Sequence, residues 1–217
     1  MARVVIPGYP HHVTQRGNRR QPVFFREDDW SIYFALMRSA CLDGGTTVLA
    51  YCLMPNHVHF VMVPSHEDGL RSAVADAHRR YTRSINFREG WRGHLWQERF
   101  HSFVMDEAHL RAAIPYVEDN PVRAKLCADS VDWRWCSAAE RVGNSDAALV
   151  DWDLRGRLLD GFADRDGTAG TQLIDSLRLH TRTGRPLGSE RFVDWLESTT
   201  GRALKPRKPG PKPAMDG

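Results

Sequence analysis

Two predominantly apolar runs, Thr47–Leu53 and His57–Val63, are separated by the turn-forming Met54-Pro55-Asn56. Runs of this length around such a turn predict a β-hairpin. Upstream, His11–Arg16 alternates as a strand does and is followed by a turn at Gly17-Asn18. Asp28 and Asp29 read as caps of a helix running to about Leu42, where Ile32, Phe34, Ala35 and Leu36 give a mixed periodicity and Gly44-Gly45 ends it. Further on, the pattern predicts a helix over Leu70–Asn86 and a short strand over Arg99–Met105. A helix capped by Asp106 then runs toward Asn120. The order strand, helix, strand, strand, helix, strand, helix implies an α+β domain, a ferredoxin-like antiparallel sheet with helices on one face.

After Gly143, Asn144-Ser145-Asp146 reads as a linker. Two helical patches follow, Leu154–Phe162 and Gln172–Leu179. A third helix has Ser189 as cap, Phe192, Val193 and Leu196 on one face and Gly201 as its stop. The closing KPRKPGPKP is basic and proline-rich, the composition of an extended, disordered tail. The expected organisation is a domain over 1–143, a helical C-terminal extension over 144–203 and a tail over 204–217.

Hydrophobic residues make up 41% of the 217, enough for a packed core. No apolar run approaches the ~20 residues of a membrane span, and the N-terminus lacks the apolar stretch of a signal peptide. Cys41, Cys52, Cys127 and Cys136 lie far apart without CxxC pairing and read as reduced thiols of a cytoplasmic protein. Formal net charge is only +3, but it is unevenly placed. Arg3, Arg16, Arg19 and Arg20 fall in the first twenty residues without an acid. Arg202, Lys205, Arg207, Lys208 and Lys212 crowd the end. Basic termini on a near-neutral body suit either a polyanion partner or a plain solvated surface.

The chemistry-bearing residues start with His57-Val58-His59. Residues two apart on a strand share a face, so both imidazoles can reach one ion. Ten histidines in 217 residues give an expected count of about half such a pair by chance, so the motif alone is a weak signal and two ordinary strand histidines bonded to water and backbone also explain it. A third alternating histidine is absent, Val61 standing in its place, and HExxH occurs nowhere. Two imidazoles and an oxygen donor suit magnesium or manganese better than catalytic zinc, which usually takes three strong protein ligands. Tyr116 and Asn120 have the i, i+4 spacing of one helix face. Pro115 either kinks that helix or marks its start, and Pro121 disfavours helical geometry at Asn120. A basic cluster with aromatics interleaved (Arg79, Arg80, Tyr81, Arg83, Trp91, Arg92, Trp96, Arg99) suits stacked bases and phosphates, or core tryptophans among solvated arginines.

Together these runs resemble the single-tyrosine HUH transposases, and specifically their REP-associated tyrosine transposases. The resemblance rests on PGYPHHVTQRGNRRQPVFF, YCLMPNHVHFVMVP, HLWQERFHS, YVEDNPVRAKL and DWRWCSAAERVG, in the family's order over roughly 1–143. TGRPLGSERFVDWLESTTGRALKPRK also looks like that branch's C-terminal extension. The resemblance implies a catalytic trio of Tyr116, His57 and His59, with Tyr116 as nucleophile, and a Mg²⁺ or Mn²⁺ ion held by His57, His59 and Asn120. It implies single-stranded DNA hairpins (REP-like palindromes) as partner and one-strand cleavage and rejoining through a 5′-phosphotyrosine. Contacts to that DNA are expected from Arg16, Arg19, Arg20, Arg79, Arg83, Trp96, Arg99 and Arg123. No nucleotide cofactor is expected, and the expected state is a monomer or homodimer. Pro115, Glu98, Lys125 and Cys136 depart from the family's usual pattern. The alternatives are a non-catalytic regulatory protein that binds DNA hairpins, and a metal-dependent phosphodiesterase.

Overall fold

The computed structural model describes residues 3–145, 148–160 and 171–205. Its four strands are β1 (His11–Arg16), β2 (Thr46–Met54), β3 (His57–Pro64) and β4 (His101–Val104). They form one antiparallel sheet in the order β2-β3-β1-β4, the ferredoxin-like arrangement. The helices are α1 (Glu27–Asp43), α2 (Asp76–Glu89), α3 (Glu107–Glu118), α4 (Asn120–Arg123), α5 (Ser137–Arg141), α6 (Trp152–Asp160), α7 (Thr171–Thr183) and α8 (Glu190–Thr200). A π-helical turn at Arg71–Ala75 leads into α2. The expected linker residue Asp146, the end of the Leu154–Phe162 patch and tail residues 206–217 lie outside the described residues.

Side chains alternate across each strand, and the two faces of the sheet carry separate cores. Val13, Tyr51, Leu53, Phe60 and Met62 meet Tyr33 and Met37 of α1 and Tyr81 and Ile85 of α2. These are the crossover helices that the element order predicts on one face. The opposite face is covered as well. There Cys52, Val61 and Phe103 pack beneath Leu110, Ala113, Ile114 and Val117 of α3 and Leu177 of α7. A third, smaller cluster joins Val4 and Ile6 to Leu196 of α8 and Leu204.

Asp29 does cap α1, from inside its first turn: its Oδ2 accepts from Phe25 N at 2.7 Å and Arg26 N at 2.9 Å, and Arg88 of α2 pairs with the same carboxylate. Asp28 is exposed. Asp106 caps α3 as expected, accepting from His109 N at 3.1 Å. Pro115 neither starts nor ends α3, which continues through it to Glu118. The break comes at Asp119 (φ −84°, ψ 6°), and Asn120 begins a new short helix with Pro121 in its first turn.

The C-terminal segments bind along both outer edges of the sheet. On the β2 side, Leu53 N donates to Trp135 O at 2.9 Å and Asp151 N donates to Val48 O at 3.0 Å, next to a bulge at Leu49. On the β4 side, Leu187 N donates to Val104 O at 2.9 Å. A buried ion pair fastens α6 to the end of α3: Arg155 Nη1 lies 2.7 Å from Glu118 Oε1.

Candidate active site

β3 is an interior strand, so its side chains are flanked on both sides. His57 and His59 share the face that α3 covers. His59 stands opposite Cys52 of β2 and Thr14 of β1, and His57 opposite Met54 and Arg16. Their ring centroids are 5.0 Å apart. His59 is buried, while His57, at the strand's start, is half-buried.

Hydrogen bonds orient both rings. His57 Nδ1 donates to Asn56 Oδ1 at 2.6 Å, and Asn56 Nδ2 donates to Arg20 O at 2.9 Å. The preceding loop carries Arg19 (φ 53°) and Arg20 (φ 62°), both left-handed, which costs L-residues roughly 1–2 kcal/mol each. Asn56 therefore ties that bent loop to the His57 ring. His59 Nδ1 lies 3.2 Å from Nε2 of His12 on β1. Burial, with the Arg16 guanidinium adding to it, pushes His57 down to about 4, and burial pushes His12 down to about 3. His59 is also driven well below the ordinary value, mainly by burial and then by His57, His12, Arg123 and Arg16. All three rings are neutral near pH 7, the state in which imidazole can ligate.

Tyr116 projects from α3 toward the same cluster. Its ring centroid lies 6.3 Å from that of His59 and 6.0 Å from that of His12, each edge-on. The ring is half-buried, and the Arg123 guanidinium sits 4.3 Å over it. Arg123 also donates to the Tyr116 carbonyl. Asn120 Nδ2 donates to the carbonyls of Tyr116 at 3.2 Å and Val117 at 3.1 Å. With its NH₂ turned onto the backbone, Oδ1 is the atom Asn120 can offer a ligand. Among the described residues no group of three or more His, Cys, Asp or Glu side chains gathers as a metal site. The expected set is different, two imidazoles with Nδ1 hydrogen-bonded and Nε2 free, plus an amide oxygen. That donor set fits a divalent cation such as Mg²⁺ or Mn²⁺ with positions left open.

The family model described as "Transposase IS200 like" matches residues 7–120, more than half of the chain. The chain belongs to the IS200-like transposases. Among solved structures, this transposase shares its fold with a REP-associated tyrosine transposase bound to a REP hairpin. The TM-score is 0.58 and the identity 18%, over 79% of this chain and 94% of that one. A Deinococcus radiodurans protein described as a transposase aligns with a TM-score of 0.38 and 22% identity, over 55% of this chain and 95% of that one, a likeness that carries no argument. No curated protein matches.

The other residues singled out from the sequence are spread over the transposase surface. Arg16, Arg19 and Arg20 are exposed at the His57 end of β1. Arg99 is exposed beside a cavity of about 200 Å³ that Arg3, His101 and Arg182 also line. Arg79 and Arg83 lie on the outer side of α2, across the sheet from the imidazole pair, and Arg79 is paired with Asp76. Trp96 corrects its expectation. It is 7% exposed and its ring stacks on His78 at 4.2 Å, so it is a core side chain and not a platform for bases. Its flanking arginines suggested nucleic acid, but the neighbouring apolar Leu95 and Phe100 mark a buried segment. Three residues of the cluster went unrecognised in the sequence. Asn56 adjoins His57 and could have been found from that adjacency. His12 and Thr181, whose Oγ1 on α7 lies 3.4 Å from His12 Nδ1, depend on β1–β3 register and on how α7 docks, and neither is written in local pattern. Among the described residues no helix is long and apolar enough to cross a membrane.

Proposed function

We propose that this transposase is a cytoplasmic single-strand DNA transesterase that binds REP-type hairpins and cuts and rejoins one strand through Tyr116. Residues 1–143 form the catalytic unit and 144–203 its extension, with the basic tail following. The observation that supports this reading is the convergence of the Tyr116 ring, 6.3 Å from His59, on the sheet face that carries both imidazoles.

His57 Nε2, His59 Nε2 and Asn120 Oδ1 would hold the cation. When bound, it supplies Lewis-acid polarisation of the scissile phosphate. The chain does the rest. A phenol is a weak nucleophile at neutral pH, so it must be held in near-attack geometry and lose its proton. Arg123, lying over the ring and bonded to the Tyr116 carbonyl, fixes the ring. The Tyr116 oxygen bonds to phosphorus as the bond to the 3′ oxygen breaks, and that oxygen takes up a proton. The products are a 5′-phosphotyrosine and a free 3′-hydroxyl, and attack by another 3′-hydroxyl reverses the step. Arg16, Arg19, Arg20 and Arg99 supply phosphate contacts along the exposed surface.

The test is a hairpin oligonucleotide with a single-stranded flank, incubated with the full chain and Mn²⁺ and run on a denaturing gel. A covalent adduct lost in Tyr116→Phe is expected. An adduct that persists in Tyr116→Phe refutes the nucleophile. Binding with no adduct under any metal reduces the chain to a hairpin-binding protein, and a free 5′-phosphate without adduct makes it a water-using phosphodiesterase.

A further inference from the structure

His12 is wholly buried on β1, at 0% exposure, with a partner at each ring nitrogen. Nε2 is 3.2 Å from His59 Nδ1, and Nδ1 is 3.4 Å from Thr181 Oγ1 on α7. Thr181 Oγ1 is in turn 2.8 Å from the carbonyl of Leu177. A carbonyl can only accept, so the single hydroxyl proton of Thr181 goes to Leu177. Toward His12, Thr181 can then only accept, which puts the His12 proton on Nδ1. A neutral imidazole protonated there has its lone pair on Nε2, so His59 must donate from Nδ1. The lone pair of His59 is left on Nε2. The polarity of the whole chain runs one way, from the Leu177 carbonyl to the open side of His59.

We propose that Thr181 and His12 are positioning residues that set the tautomer of His59 and make its Nε2 the ligating atom. This rests on the reading of His59 as a metal ligand and extends it to a residue 169 positions downstream of His12. His57 needs no such relay, because Asn56 Oδ1 can only accept and by itself keeps the proton on Nδ1. For His59 the neighbour is another imidazole, which works as donor or acceptor, and the direction has to come from beyond it. Thr181 supplies that direction. The C-terminal extension is thus part of how the site is built, and outer hydrogen bonds of this kind orient ligating histidines generally.

The experiment uses the full chain without metal and reads the imidazole nitrogens by long-range proton–nitrogen correlation, with Mn²⁺ affinity from the free-ion paramagnetic resonance signal as second readout. Wild type is expected to show His59 protonated at Nδ1. In Thr181→Val an Nε2-protonated population of His59 appears and Mn²⁺ binding weakens about 10- to 100-fold, while Thr181→Ser restores both. His12→Phe removes the acceptor and reproduces the loss. Wild-type His59 protonated at Nε2 overturns the proposal without any variant. So does a folded Thr181→Val that keeps the Nδ1 tautomer and binds Mn²⁺ within twofold of wild type. If the tautomer shifts as stated while wild type binds no Mn²⁺, the relay stands and the metal reading falls.

Discussion

Replacing Arg155 by methionine removes the guanidinium that pairs with Glu118 in a closed site. Arg155 and Glu118 are 7% and 5% exposed. Arg155 Nη1 donates to Glu118 Oε1 at 2.7 Å and to the Leu49 carbonyl at 3.3 Å, and Nη2 lies 3.5 Å from Oε2. In Arg155→Met the carboxylate keeps the Ser137 hydroxyl as a donor at 2.8 Å. Methionine refills most of the volume, so the dominant effect is an uncompensated buried charge. Breaking a buried pair on one side typically costs about 3–5 kcal/mol. The same principle makes the double change Glu118→Leu with Arg155→Met neutral or stabilising by about 1–4 kcal/mol, since it removes both desolvation costs. Urea unfolding of the four chains of this cycle, followed by tryptophan fluorescence and circular dichroism, gives the coupling directly. A large positive loss in the single variant with recovery in the double is expected. A loss under about 1 kcal/mol for Arg155→Met, or strictly additive effects, would refute the reasoning. Because Glu118 is two residues beyond Tyr116, Arg155→Met should also slow adduct formation, by releasing the end of α3.

Two further outcomes follow from the same geometry. Burial pushes His11 down to about 4 and His78 to about 3, away from the usual 6.5. The unfolded chain then binds protons that the folded chain refuses, so stability is full above about pH 6.5 and falls as the pH drops toward those values. At pH 5 each such imidazole costs about 2 kcal/mol. Denaturation curves at pH 7 and pH 5 should show His78→Phe losing about 2 kcal/mol less than wild type over that interval, and an unchanged pH slope would contradict it. Asp106 accepts from His109 N at 3.1 Å and from Ser189 N at 2.8 Å, capping α3 and holding the start of α8. Asp106→Ala should cost about 1–2 kcal/mol and speed tryptic cleavage near Arg185 and Arg191, whereas Asp106→Asn should keep only one of the two bonds, because its amide nitrogen cannot accept.

The hairpin of β2 and β3 was legible because apolar runs around Pro55-Asn56 leave few alternatives, and the paired imidazoles followed from strand alternation alone. Tyr116 and Asn120 were legible as neighbours by helical spacing. The i, i+4 relation survives the break at Asp119, although it is realised as Asn120 bonding the Tyr116 carbonyl rather than as two side chains on one continuous helix. What was not legible depends on long-range docking. The second helical layer, the Glu118–Arg155 pair and the His12–Thr181 contact join residues 37 to 169 positions apart, and no local period encodes them. Trp96 misled for a related reason: an aromatic among arginines reads the same whether its ring is stacked on His78 or open to solvent.

The bonds at Val48 and Val104 mean that neither rim of the sheet presents a free row of amides and carbonyls. A strand from a second copy of the chain cannot pair at Leu53, Val48 or Val104 while Trp135, Asp151 and Leu187 hold those positions. Cutting the chain back to its first 143 residues would bare the β4 rim and the Val48 end of the β2 rim, while Trp135 stays bonded at Leu53. Such a fragment would gain a sticky outline that the intact chain lacks, and clumping in it would say nothing about the whole protein's assembly.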